Sequence, residues 1–153
     1  MQKITPFLWF DKEAREAAKL YTSIFKDSKL HNPETIDDTP SGAVDIVSIE
    51  LFGQQFTLMS AGPNFKFNEA ISFVVNCDGQ EEVDYYWEKL TAEGGEESQC
   101  GWLKDKFGVS WQIVPKQLTE LMSKDKSGRV MQAMLQMKKI VVSDLQKAAE
   151  GNS

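Results

Sequence analysis

A strand, a helix and a hairpin occur twice along this chain, and that repeat narrows the possible folds more than any other feature. In the first copy, Ile4 to Phe10 is a short aromatic strand ending at Asp11. Asp11 is placed to cap the following helix, with Glu13 and Glu16 favouring its first turns. Ala14, Ala17, Ala18, Tyr21 and Ile24 then recur at helical spacing, and Phe25 closes the stripe. Val44 to Phe52 alternates Val44, Ile46 and Ser48 against Asp45, Val47 and Ile49. Gly53-Gln54 turns the chain and Gln55 to Ser60 returns, which completes a hairpin.

The second copy begins with the apolar strand Ala70 to Cys77. Asp78-Gly79-Gln80-Glu81 reads as a capping box. Val83, Tyr86, Trp87 and Leu90 form the helical stripe, which Gly94-Gly95 ends. A hairpin from Cys100 to Pro115 comes next, turning at Lys106-Phe107-Gly108. Ala17 matches Val83, Tyr21 matches Trp87 and Ile24 matches Leu90 at one constant offset. The hairpin glycines Gly53 and Gly108 match at a shorter one, so the second copy has the shorter loop. In the first copy that loop, residues 27–43, holds Pro33, Pro40 and Gly42, with one edge strand expected around Thr35. Gly62-Pro63-Asn64 marks the linker between the copies. Two such modules predict two sheets, each with a helix on one face and the other face free to line a cavity.

After Pro115 the pattern becomes helical. Leu118, Leu121 and Met122 form one stripe; Val130, Met131, Met134, Leu135 and Met137 form a broader one. Ser143-Asp144-Leu145-Gln146 reads as another capping box, with Gly151 as a stop. The VMQAMLQM patch is core filling or a surface for a second subunit, and its width favours the subunit contact.

The 153 residues suit a single domain, residues 1–153, and the net charge of −6 with a pI of about 4.9 disfavours nucleic acid and anionic membranes. Lys138-Lys139 is the only adjacent basic pair. The apolar run before Asp11 is too short for a signal peptide or a membrane span. Cys77 and Cys100 form no CxxC, and two free thiols fit a reduced cytoplasm.

Within the last strand, Trp111 and Ile113 share one face, Ser110 and Gln112 the other. Gln112 therefore points toward any cavity the sheet lines. The expected lining is Gln112 and Ser110 with Trp102, and from the first module Thr57, Gln55, Met59 and Trp9. Such a mixture of apolar surface with a few amides and hydroxyls suits a planar or lipophilic small molecule. No catalytic residue is assigned. Cys100 lacks a nearby base, and both cysteines are expected to be small buried hydrophobes. His31, the single histidine, is expected to be a solvated loop residue. Lys104-Asp105-Lys106 and the acidic run from Glu93 to Glu97 are expected to be solvated as well. No acid–base pair is expected on the inner strands, which favours binding over catalysis.

Three stretches carry a resemblance: ITPFLWFDKEAREAAKLYTSIF, AISFVVNCDGQEEVDYYWEKL and QCGWLKDKFGVSWQIVP. With the tail MLQMKKI they resemble bacterial 3-demethylubiquinone-9 3-methyltransferase-like proteins. These belong to the vicinal oxygen chelate superfamily of glyoxalases, bleomycin-resistance proteins and extradiol dioxygenases. The resemblance implies an α+β fold of two βαβββ modules, residues 1–62 and 69–115, making a cup-shaped mixed sheet, with a helical tail over 116–153. It also implies a homodimer. Metal-using members place His, Gln or Glu on the first and last strands of each module. Here the first strands carry no His, Asp or Glu, and Gln112 stands where the pattern Gly-Asn-x-Ile-Glu would place its Glu. No metal site is therefore expected. The resemblance implies adenosylmethionine as cofactor only through the family name, since no glycine-rich turn comes after a strand as such sites require. Two readings stay open: a metal-free enzyme acting on a small aromatic or quinone-like molecule, and a binding protein that sequesters one.

Overall fold

The computed structural model describes Gln2 to Gly151. The chain divides into two compact units, one running to Lys66 and the other beginning at Phe67. The class is α+β, with a mixed sheet in each unit.

In the first unit, strand β1 (Phe7–Phe10) leads to helix α1 (Ala14–Ile24). Strands β2 (Ser28–Leu30), β3 (Glu34–Thr39), β4 (Gly42–Leu51) and β5 (Gln54–Ser60) come after it. The order is β1-β5-β4-β2, with β3 also on β4, and only the β1–β5 pair is parallel. The strand expected from Ile4 starts later, because Pro6 has no N–H and gives only its carbonyl, to the Thr57 N–H. Residues 27–43 build two strands rather than one edge strand. The alanine stripe of α1 is buried with Tyr21 and Ile24 as its spacing requires, and the helix packs on β4 and β5, where Val47, Ile49 and Leu58 are buried. Asp11 does not cap α1; the Ala14 N–H is met instead by Ser60 Oγ at 2.9 Å. The hairpin turns on Phe52 and Gly53, at φ 51° and 79°, the pair of left-handed conformations that matches strand twist.

In the second unit, β6 (Ser72–Cys77) precedes α2 (Gln80–Thr91). Then come β7 (Glu96–Glu97), β8 (Trp102–Lys104) and β9 (Ser110–Pro115), in the order β6-β9-β8-β7 with β6 parallel to β9. The acidic run is exposed as expected but is not all loop: Glu96-Glu97 pairs with β8, and Glu97 accepts the Trp87 indole N–H at 2.6 Å. Asp78 does not cap α2. Its own N–H donates to Glu82, one residue beyond the expected Glu81. Asp105 does overturn the expectation of a solvated turn, being 2% exposed. Its carboxylate accepts the Phe107 and Val109 N–H groups and the Trp111 indole N–H at 2.9–3.0 Å, which pins the β8–β9 turn.

Helices α3 (Lys116–Lys124), α4 (Arg129–Leu135) and α5 (Val142–Ala149) form the tail. Leu118, Val130, Ile140 and Leu145 make its buried core, with Met134 and Met137 packed against it, while Met131 and Leu135 stay exposed. Ser143 lies inside α5 and does not cap it. The tail is tied to its own module. Gln80 donates to the Ile140 carbonyl and accepts from the Val142 N–H, and the Cys100 and Gly101 N–H groups donate to Met137 and Lys138 carbonyls.

Candidate functional site

Each sheet turns one face to its helix, and the residues on the other face are fixed by register. In the first sheet Phe7 and Trp9 lie opposite Thr57 and Met59. Thr57, Met59 and Gln55 lie in turn opposite Ser48, Ile46 and Glu50 on β4. Alternation therefore brings Trp9, Gln55, Thr57 and Met59 onto one face. Trp9 is not bare: its indole donates to the Gly62 carbonyl at 2.9 Å and meets the Phe65 ring edge-on at 5.0 Å.

The far part of this face holds a cavity of about 400 Å³. Ile46, Ser48 and Glu50 of β4 line it with Gln55 of β5, and His31, Asn32 and Glu34 close its side. Thr57 and Met59 stand beside it rather than in its wall. The His31 N–H donates to the Ser48 carbonyl, which continues the β2–β4 pairing one residue past Leu30 and aims the imidazole at this face. His31 Nε2 then lies 3.0 Å from Glu50 Oε2. His31 is exposed and lies past the end of β2, as expected of a solvated loop residue, but it is not without a partner, since Glu50 of β4 meets it at the edge of this face. Residues 27–43 read as a polar loop, so nothing in the local pattern placed His31 beside a strand carboxylate. A carboxylate accepts, so Nε2 carries the proton in this bond, and in the neutral ring Nδ1 is then the accepting nitrogen.

In the second sheet, Gln112 is half-buried and donates to Ser72 Oγ at 2.9 Å. Its cross-strand neighbours are Val74 and Trp102. Ser110, one pleat along, lies opposite both Ser72 and Lys104. Ser110 and Trp102 line a concavity of about 250 Å³ together with Lys104, Glu69 and Glu96, and Gln112 lies beside it. Ser110 is 1% exposed and its Oγ has no hydrogen-bond partner. Lys104 is ion-paired with Glu69, which raises the Lys104 pKa and lowers that of Glu69.

Among the described residues no group of three or more His, Cys, Asp or Glu side chains could hold a metal ion. Cys77 is buried as expected, and burial, with Glu82 and Asp78 adding to it, pushes its thiol up to about 12. Cys100 is only half-buried, in a turn at φ 59°. Among the described residues no helix is long and apolar enough to cross a membrane.

A family model described as 3-demethylubiquinone-9 3-methyltransferase matches residues 2–114. The helical tail lies beyond that match, so the family likeness stops short of the stretch MLQMKKI. None of the curated proteins matches the chain. Among solved structures, the PhnB protein of Bacillus cereus is 33% identical, with 74% of this chain and 99% of that one covered at a TM-score of 0.66. A Pseudomonas aeruginosa protein is 21% identical over 75% and 98% of the two chains, TM-score 0.59. The fosfomycin resistance protein FosX of Listeria monocytogenes is 17% identical over 78% and 94%, TM-score 0.54. The last two share the fold alone. With a sheet and a covering helix in each unit, and a match running from β1 almost to the end of β9, this chain belongs to the 3-demethylubiquinone-9 3-methyltransferase family, on an α+β fold of the glyoxalase/bleomycin-resistance type.

Proposed function

We propose that this protein binds a small hydroxylated ring, quinol-like in its chemistry, on the face of the first sheet that carries His31, without a metal ion. The observation that carries this reading is the His31–Glu50 pair beside the cavity of about 400 Å³. A weakly acidic hydroxyl needs an acceptor, and His31 Nδ1 is one whose partner nitrogen is already oriented by a carboxylate. Ile46 gives the ring an apolar seat, while Ser48 and Gln55 supply directional contacts. The reading is sequestration with a proton acceptor in place, from which turnover is one step away. Methyl transfer from adenosylmethionine is the second reading, and the description of the family model is what favours it. A homodimer is part of the proposal, with the exposed Met131 and Leu135 of α4 as its apolar contact.

Calorimetric titration with catechol, hydroquinone, their dimethyl ethers and adenosylmethionine tests the proposal. Free quinols should bind at least about tenfold more tightly than the ethers, and His31→Ala should erase that difference, since one hydrogen bond to an oriented acceptor is worth about 1–2 kcal/mol. Equal affinity for quinol and ether would sink the reading. Binding of adenosylmethionine followed by methylated product would establish the second. A monomer in sedimentation at micromolar concentration would remove the dimer.

A further inference from the structure

The second sheet holds a polar row that the quinol reading does not use. Glu96, Lys104 and Ser110 stand directly across from one another on β7, β8 and β9. Neighbouring strands lie about 4.8 Å apart, so the row presents an acid, an ammonium and a hydroxyl within about 10 Å. Trp102 adds an indole beside it, and Glu69 pairs with Lys104 from the segment before β6. Ser110 is the informative member: its hydroxyl is buried, unpartnered, and part of the wall of the concavity. A buried hydroxyl with no partner is costly, and a ligand group at the concavity would relieve that cost.

We propose that this concavity binds a small zwitterion of amino-acid or betaine size. Its carboxylate lies between Lys104 and the Ser110 hydroxyl, which donates to it. Its ammonium faces Glu96 and the Trp102 ring, where a cation gains from both charge and the aromatic face. A simple anion meets Lys104 but is repelled by two carboxylates, and a simple cation leaves Ser110 and Lys104 unused. The volume of about 250 Å³ is below that of a usual drug-sized site, which restricts the ligand to a short molecule. No residue of the first sheet takes part, so this site stands or falls apart from the quinol reading.

The test is calorimetry on the full chain with glycine betaine and L-proline, against propionate and propylammonium as half-molecules. The zwitterions should bind at least about tenfold more tightly than either half. Ser110→Ala should weaken zwitterion binding about tenfold and at the same time raise the melting temperature of the free protein by about 2–4 °C, because an unpaired buried hydroxyl has been removed. Glu96→Gln should bring the zwitterions down toward propionate. Half-molecules that bind as tightly as the zwitterions would overturn the proposal. So would a Ser110→Ala protein that melts lower, or an absence of heat with every probe at about 10 mM.

Discussion

The two modules start from one plan and finish differently, and they part at the connection leaving the helix. In the first, the connection after α1 folds into β2 and β3 and borders the ten-residue β4. In the second, the corresponding stretch yields only the two-residue β7. The helix faces of both sheets are nearly interchangeable, apolar stripe against apolar strand. Their other faces are not. The longer connection raises a side wall, gives the larger cavity and brings in the only histidine of the chain; the shorter one leaves a smaller hollow edged by charges. Insertions in surface connections cost little, so a module can vary its chemistry there while its core stays fixed.

The hairpins offer the sharpest way to break this comparison. The second turn hangs on one buried carboxylate; the first has no such side-chain clamp and rests on its backbone conformation, with the Phe52 N–H bonded to the Asp27 carbonyl. Asp105→Ala should cost about 3–5 kcal/mol by urea unfolding, since it strands three donors. Gly101→Ala comes next, at about 2 kcal/mol. Its φ is 85°, and a methyl group there would stand 3.0 Å from the Ile113 carbonyl and 3.1 Å from Ile140. Gly53→Ala in the first hairpin meets no atom within 4 Å and should cost only the left-handed strain, about 1 kcal/mol. If Gly53→Ala proves the most damaging of the three, the modules do not differ in the way described.

The smallest expected effect is on pH dependence. Asp45 is held below its ordinary pKa by Thr35 and then Arg15; Asp84 is held low by Lys139 and then Gln80. For a carboxylate depressed by folding, the stabilisation is complete above the unfolded value of about 3.9 and is lost as pH falls through the folded one. Both pairs are well exposed, so each should contribute only a few tenths of a kcal/mol. Unfolding midpoints at pH 7 and pH 3 for Arg15→Met and Lys139→Met should show slightly less acid sensitivity than the parent.

Much of the fold was legible because period and burial are local signals. The alanine stripe of α1, the alternation in β4 and the Trp111–Ile113 face of β9 each announce themselves within a few residues. Caps are less legible: Asp11, Asp78 and Ser143 all suit the role, yet a side chain that can cap is not thereby the one that does. Ser60 reaches α1 from across the sheet. Of the candidate site, register assembled Trp9, Gln55, Thr57 and Met59 on one face and Trp102, Ser110 and Gln112 on the other. The hidden part was long-range. His31 meets Glu50 only because β2 pairs with β4, and Asp105 looks like a turn residue until Trp111 folds over it.

The Gln80 side chain behaves toward the tail as one peptide unit of a neighbouring strand would, offering an N–H to Ile140 and a carbonyl to Val142. A bond of that kind opens only when both of its supports separate. The Val142 amide should therefore exchange its hydrogen with solvent only when the tail and the Gln80 side chain part, and a deuterium label there reports on a contact with a residue some sixty positions earlier in the chain. By that clock, the tail beyond the family match is timed as a late strand of its module rather than as an appendage.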